Sequence, residues 1–553
     1  MANKHVNAVV VGSGAGGGVV AKELSTAGLS VVLLERGGWI SYDDHPDDEL
    51  ISQPSSPLGT ACGPDDTKNL RVIDYPDGTS KIVIPCETDY QNIAACVGSG
   101  TVTYATLAWR YMPEDFKMKT TYGHVPGSTM EDWPVSYDDL EPCYEKAEWE
   151  IGVSGDDTGN PFAPPRKKPR PMPPFPPNKA AKLLHAAALR LGFHPFLNPF
   201  LRNSVPRCGR PACIRMRNCN GSVCPVNAKN GTHNTVIPVA LATGNCELRT
   251  HALVSQVMAD EQGRITGVEY FDKDNRRQTQ TADIVVLSAS AIETARLLLN
   301  SKSKLYPEGI GNGNGWVGKN LQGHAYPKAF GIFEEDVYDD FGPGSSVTIC
   351  DFSHHNPGIV GGGYLTNSFF IRPYSFTGIR PPGTKLWGKE HKEFQRINYK
   401  KVIKVHGPYQ DIPRFDQQVT IDPELRDFWG IPVARLSPSK IETDVQGCSY
   451  IADKAEQWLR EAGAKITWKS TGTSRAVGVD GHQAGSCRMG NDPKTSVTDR
   501  YGRVHPTPNL FIADASLHVT NGGFNPSLTI MALGYWVGGY IVSEWNKGNR
   551  FKE

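Results

Sequence analysis

The chain has 553 residues, 39% hydrophobic and 21% charged, enough to bury more core than one domain of ordinary size holds. Lys plus Arg equal Asp plus Glu at 58 each, and no basic run exceeds Arg166-Lys167-Lys168, which argues against a nucleic-acid footprint. No stretch approaches the roughly 18 apolar residues that a membrane helix needs, so no intrinsic membrane span is expected.

In chain order, residues 6–11 are a short apolar run, 12–18 are glycine-rich, 19–29 carry helical spacing, and 30–34 are a second apolar run ending at Glu35. That order predicts a parallel two-strand unit with a crossover helix. Residues 40–85, rich in Pro, Asp and Gly, read as an irregular excursion. The proline-dense stretch 161–177 cannot be helix or central strand and reads as an extended connector. Residues 180–191 read as a helix, and the apolar run 284–287 leads into a helix through Leu299. From 323 to about 465, short strands alternate with glycines and aromatics, the texture of a largely antiparallel second domain. The remainder returns to α/β. The expected organisation is a nucleotide domain in pieces (1–160, 205–322 and 467–553), a connector with part of the substrate domain (161–204), and the substrate domain proper (323–466).

Gly12-Ser-Gly14-Ala-Gly-Gly17 fits G-x-G-x-x-G between a predicted strand and a predicted helix. The first glycine allows the tight turn, the second lets backbone approach a pyrophosphate, and the third allows close helix–strand packing. The helix N-terminus then offers free N–H groups to the phosphates. Glu35 stands where such a fold sets an acid against a ribose hydroxyl. The motif predicts a dinucleotide and does not separate NAD from FAD.

Further segments resemble one family, the glucose-methanol-choline (GMC) FAD oxidoreductases. They are Val97-Gly-Ser-Gly100-Thr-Val-Thr-Tyr104, Ala289-Ser-Ala-Ile-Glu-Thr-Ala-Arg-Leu-Leu-Leu299 and Val317-Gly-Lys-Asn-Leu-Gln-Gly-His324. The C-terminal set runs His482 to Gly490, Asn509 to Ser516, and Asn525-Pro526-Ser-Leu-Thr529. The resemblance implies an α/β fold, a Rossmann-type FAD-binding domain joined to a largely antiparallel substrate domain. It implies FAD, with Gly98 and Gly100 along the flavin and with Asp514 and Pro526 beside the cofactor. Thr103 stands where some members carry a flavin-linking histidine, so the FAD is expected to be noncovalent.

Oxidising an alcohol carbon requires removal of the hydroxyl proton as hydride leaves. A neutral imidazole, with an ordinary pKa of about 6.5, suits that task. The resemblance makes His482 this base and Asn525 the partner that holds the same hydroxyl. Ala108-Trp-Arg-Tyr-Met-Pro-Glu-Asp-Phe-Lys-Met-Lys119 and Asp132 to Pro142 resemble a bacterial sugar dehydrogenase branch. The implied substrate is a pyranose or glycoside, oxidised as by a glucose or glucoside 3-dehydrogenase. Gln410 departs from the Glu that relatives of this branch often carry.

Of twelve cysteines, Cys208, Cys213, Cys219 and Cys224 lie close together. Short, irregular loop spacings of this kind suit zinc or an iron–sulfur cluster, although the paired C-x-x-C knuckles of structural zinc are missing. A disulfide is the alternative in an oxidising compartment. Some sugar dehydrogenases of the branch hold a [3Fe–4S] cluster by three cysteines, the last followed by Pro. Cys213, Cys219 and Cys224-Pro225 resemble that set with one residue more in the second gap, which leaves Cys208 spare. Such a cluster implies electron delivery to a cytochrome, with a small partner subunit. An O2-using sugar oxidase and a non-redox lyase on the same fold are the rival readings. Residues 1–5 carry no export signal, so the expected location is cytoplasmic, or periplasmic by co-export with a signal-bearing partner.

Overall fold

The computed structural model describes residues 4–48, 63–217, 219–369, 371–473, 482–549 and 551. The nucleotide side is built on a seven-stranded sheet. Its parallel centre runs in the order Cys246–Arg249, Val31–Leu34, Val6–Val11, Arg277–Leu287, Leu510–Ile512. Val31 to Leu34 and Ala8 to Val11 are all buried, as a strand covered on both faces requires. The N-terminal half of Arg277–Leu287 leaves this centre to pair antiparallel with Ile265–Phe271, which in turn pairs with Leu253–Ala259.

The helix Gly17–Thr26 crosses from the first strand to the second and ends where Gly28 takes φ +88. It packs against the C-terminal helix Ser527–Asn546. A Cβ on Gly534 would sit 3.0 Å from the Gly16 carbonyl oxygen, and one on Gly538 would sit 3.1 Å from Glu23 Cβ. These glycines let the two helices approach closely, which fixes the start of the C-terminal helix, and so Asn525, beside the glycine turn.

The second sheet is six-stranded and wholly antiparallel. Its order is Ile466–Ser470, Lys328–Ile332, Val402–His406, Leu365–Asn367, Val347–Ile349, Phe196–Leu197. Along Val402–His406 the period of two is clear: Ile403 and Val405 pack with Trp458 and Leu459 of the helix Glu442–Glu461, whereas Lys404 and His406 face a cavity. The α/β organisation, a parallel nucleotide sheet beside an antiparallel one, is the fold that the sequence implies.

The excursion 40–85, of which 49–62 lie outside the described residues, departs from expectation in its second half. It holds an antiparallel hairpin, Arg71–Asp74 with Ser80–Val83, turned by Asp77, which accepts from Thr79 N at 2.9 Å, and by Gly78 at φ +85. Arg71–Asp74 pairs parallel with Pro432–Ser437, and Gln418–Arg426 completes a four-stranded sheet. The pairing partner lies in the other half of the chain, so local pattern gives no sign of it. The connector 161–177 contains no helix or strand; within it, Met172 bridges to Ser154. No helix of the described residues is long and apolar enough to cross a membrane.

Candidate active site

The glycine turn links the strand Val6–Val11 to the helix Gly17–Thr26. Gly12 has φ +93, and a Cβ there would collide with the Ser288 carbonyl; a Cβ on Gly17 would collide with the Gly12 carbonyl. Packing alone therefore demands both glycines. Buried Glu35 accepts from Ser13 N at 3.0 Å, Ser13 Oγ at 2.7 Å and Gly37 N at 3.0 Å. It braces the turn from the end of the second strand. A carboxylate has about four acceptor positions, so one is left for a ribose hydroxyl.

A cavity of about 980 Å³ runs from this turn to His482 and Asn525. Gly12, Gly14, Glu35, Gly100, Asp514, His482 and Asn525 all line it, brought together from six separated places in the sequence. Gly17, Gly98 and Pro526 stand behind its wall. Gly98, at φ +92, donates its N–H to Ser13 Oγ at 3.0 Å, and Pro526 caps the helix Ser527–Asn546. The Asp514 carboxylate accepts from Ser290 N, Thr294 Oγ1, Ser516 N and Ser516 Oγ at 2.6–3.0 Å. It is a tie between two turns, and burial pushes its pKa up in spite of those donors. Thr103 lines the cavity, and the segment 97–104 offers no histidine to link a flavin. Gln410 is buried away from this lining, with its amide 3.6 Å from Met118 Sδ.

At the far end, hydrogen bonds settle the state of two imidazoles. His324 Nε2 lies 2.7 Å from the Gly522 carbonyl and 3.2 Å from that of Asn521. Carbonyls only accept, so His324 carries its proton on Nε2. Burial lowers its pKa, which leaves Nδ1 bare. His482 Nδ1 is 2.9 Å from that atom and must be the donor. Burial, and then the neighbouring His324, hold the His482 pKa well below the usual imidazole range. His482 is therefore neutral, with a bare Nε2 turned to the cavity.

Asn525 Nδ2 sits 3.2 Å from that lone pair. The amide orientation is fixed because Tyr364 Oη donates to Asn525 Oδ1, and Tyr326 Oη lies 3.4 Å from Nδ2. Asn521 Nδ2 also holds the His482 carbonyl at 3.0 Å. The outcome is an acceptor and a donor side by side, the complement of one alcohol hydroxyl. Sequence reasoning misses His324, Tyr326 and Tyr364 as members of this group. In the sequence His324 is only the end of a family segment; its contact with His482 crosses 158 positions, which no spacing rule reveals.

The GMC oxidoreductase family matches residues 124–326 and 413–534, the first as the family's N-terminal and the second as its C-terminal part. The chain belongs to the GMC oxidoreductases. It is 34% identical to 2-methyl-1,2-propanediol dehydrogenase of Mycolicibacterium austroafricanum, over 97% of this chain and 95% of that protein. It is 27% identical to the fructose dehydrogenase large subunit of Gluconobacter japonicus, over 99% and 100%. The fold matches that of pyridoxine 4-oxidase from Mesorbium loti with a TM-score of 0.64 at 17% identity, over 97% and 98%. As a GMC oxidoreductase it is an FAD enzyme acting on CH–OH groups. The residues present suit that cofactor: a glycine turn at a helix N-terminus, Glu35, and a cavity continuous from there to the imidazole.

Away from this cavity, Cys213, Cys219 and Cys224 line a small pocket with Arg202 and Lys229, while Cys208 is exposed outside it. Both cations are buried. Burial acts to lower the pKa of Arg202, but the three thiols hold it above its ordinary value. Arg215 N donates to Cys213 Sγ and Ala228 N to Cys224 Sγ, each at 3.3 Å. No disulfide joins the described cysteines, and Cys62 lies outside the described residues. Among the described residues no three His, Cys, Asp or Glu side chains converge to hold a single metal ion. The pocket itself is about 10 Å³, room for one water, so its walls must part to admit a cluster.

Proposed function

We propose that this GMC oxidoreductase is a dehydrogenase of a pyranose or glycoside hydroxyl, of the glucose or glucoside 3-dehydrogenase type, with a cytochrome as electron acceptor. One observation carries the reading: a single cavity connects the dinucleotide turn to a bare imidazole nitrogen paired with an amide N–H. FAD, when bound, supplies the two-electron acceptor in that cavity. His482 Nε2 takes the hydroxyl proton, and Asn525 Nδ2–H holds the hydroxyl oxygen in register with it. The charge that His482 gains is shared along Nδ1–H to His324 and on to the carbonyls of Gly522 and Asn521. Because burial keeps His482 neutral, Nε2 is unprotonated before substrate arrives, its lone pair met by the Asn525 amide N–H that the hydroxyl would displace.

Cys213, Cys219 and Cys224 would hold a [3Fe–4S] cluster, which when bound supplies a one-electron outlet. Two buried cations and two N–H···S bonds support that assignment, because they favour an anionic thiolate set. A relative named as the large subunit of fructose dehydrogenase supports a sugar substrate and a partner subunit.

The test is a spectrum and iron assay of anaerobically purified protein, before and after adding glucose or methyl glucoside. The reading expects about three irons per chain and bleaching of the flavin band by sugar. Peroxide production without iron would replace it with an oxidase. A flavin that no sugar bleaches would favour a lyase.

A further inference from the structure

Asn521 lies in the turn 520–525 that also supplies Asn525, fully buried behind the cavity wall. Its Nδ2 is 3.0 Å from the His482 carbonyl oxygen and 3.3 Å from that of Gly323. Carbonyls only accept, so the nitrogen end of the amide faces them and Oδ1 points the other way. Oδ1 accepts from Tyr111 Oη and from His518 Nδ1, each at 3.1 Å. Burial lowers the His518 pKa to about 3, so that ring is neutral with its proton on Nδ1. The main-chain carbonyl of Asn521 accepts from Tyr111 Oη at 2.7 Å and from His324 Nε2 at 3.2 Å. An amide side chain has two donor and two acceptor positions, and each of them has a partner here.

These partners carry the two imidazoles. Gln322 and Ala484 exchange backbone hydrogen bonds at 2.8 and 2.9 Å, an antiparallel bridge. Two residues further along each chain stand His324 and His482, so the bridge leads straight to the imidazole pair. There Asn521 joins the two chains: one amide N–H goes to the His482 carbonyl and the other to Gly323, the residue before His324. Its own carbonyl meets His324 Nε2–H. The 2.9 Å approach of the two Nδ1 atoms is thus framed by a single residue. Its turn is closely packed. Gly522 has φ +54, and a Cβ there would press on the Tyr111 ring at 3.1 Å; a Cβ on Gly523 would meet the Gly362 carbonyl oxygen at 2.6 Å. An apolar side chain at 521 would deprive the two carbonyls and the His518 N–H of these bonds.

We propose that Asn521 is a positioning residue for the oxidation. It acts through His482 and His324, fixing the separation and ring angle that set the bare His482 Nε2 at the substrate hydroxyl. The inference rests on His482 as the base and not on which alcohol is oxidised. Proton transfer needs its heavy atoms within about 2.6–3.2 Å, so a shift of a few tenths of an ångström at His482 is enough to slow it. Asn521 does not line the cavity that receives flavin and substrate. Its loss should therefore lower the rate of the proton-removing step and leave substrate affinity unchanged.

The FAD-loaded enzyme should be mixed anaerobically with the alcohol that best bleaches the parent, chosen from glucose, methyl glucoside and 2-methyl-1,2-propanediol. The limiting rate per bound flavin and the half-saturating concentration are both read. Asn521→Ala should reduce its flavin about tenfold more slowly, with half-saturation within about twofold of the parent. Thr520→Val is the control for the turn. It removes two buried hydrogen bonds, from Trp133 Nε1 at 2.8 Å and to the Asp115 carbonyl at 3.0 Å, neither of them to an imidazole. It should lower the melting temperature and leave the rate within about twofold of the parent. In a His482→Ala background, Asn521→Ala should slow reduction by no more than about twofold further, because a residue that acts through the base loses its effect with it. If Asn521→Ala does not fold, Tyr111→Phe decides in its place: it removes the O–H shared by the Asn521 carbonyl and Oδ1, and should slow reduction about threefold. A parental rate in the deciding variant, an equal slowing by Thr520→Val, or slowdowns that multiply in the double variant would overturn the positioning role and leave His482 as base. A parental rate in His482→Ala alone would overturn both.

Discussion

Replacing His324 with leucine removes the acceptor of the His482 Nδ1–H bond and leaves His482 itself in place. That bond is 2.9 Å long and ends on a fully buried ring, and leaving such a donor unpaired costs about 1–3 kcal/mol. The other polar group near that nitrogen is Tyr326 Oη at 3.4 Å, too distant to replace it fully. The penalty falls on the tautomer with Nε2 bare, the only neutral form that can accept the hydroxyl proton. Its population, and with it the limiting rate of flavin reduction, should fall about 5- to 150-fold. Anaerobic stopped-flow with saturating sugar measures that rate directly, with FAD content and melting temperature as controls. His324→Gln can accept from Nδ1–H and donate to the Gly522 carbonyl, so it should recover part of the loss. A His324→Leu enzyme that retains FAD and reduces it within about twofold of the parent rate, well short of that range, would refute the relay.

Asn525→Ala should slow flavin reduction about tenfold, less than removal of the base, because one neutral hydrogen bond is removed while proton acceptance survives. Burial keeps His482 neutral, so the saturated reduction rate should stay flat as pH falls through about 6.5 and decline only below it. A midpoint at or above that value would show that His482 is not the titrating base. Glu35→Ala removes the brace on Ser13 and the acceptor position left for a ribose hydroxyl, and FAD affinity measured by fluorescence titration should fall about tenfold or more. Serine at Cys213, Cys219 or Cys224 should lower bound iron and cytochrome reduction more than serine at exposed Cys208 does; equal effects would remove the cluster assignment.

The nucleotide half is legible in the sequence because its signals are local. Residues 6–35 carry strand, turn and helix in one unbroken stretch, and Gly12 and Gly17 are required by contacts within it or with the neighbouring strand end. His482 and Asn525 are legible only through family resemblance; nothing in their spacing says that they meet at 3.2 Å. Long-range pairing hides the rest. The Arg71–Asp74 hairpin lies inside a Pro-, Asp- and Gly-rich stretch whose turn signals mask its short strands, and its sheet partner is 363 positions away at Ala434. The hydrogen bond of His324 to His482 likewise joins residues 158 positions apart. Gln410 marks a departure from the sugar dehydrogenase pattern in sequence, yet its side chain turns to Met118 and away from the cavity.

The central claim is that His482 removes the hydroxyl proton while the rest of the cavity holds FAD and substrate. His482→Ala tests it most directly, by anaerobic rapid mixing of the FAD-loaded variant with the sugar that best bleaches the parent. Reduction should be slower by about 10²–10⁴-fold, while FAD stays bound and dithionite still reduces it. Reduction at close to the parental rate would contradict the claim and return the role of base to another group in the cavity.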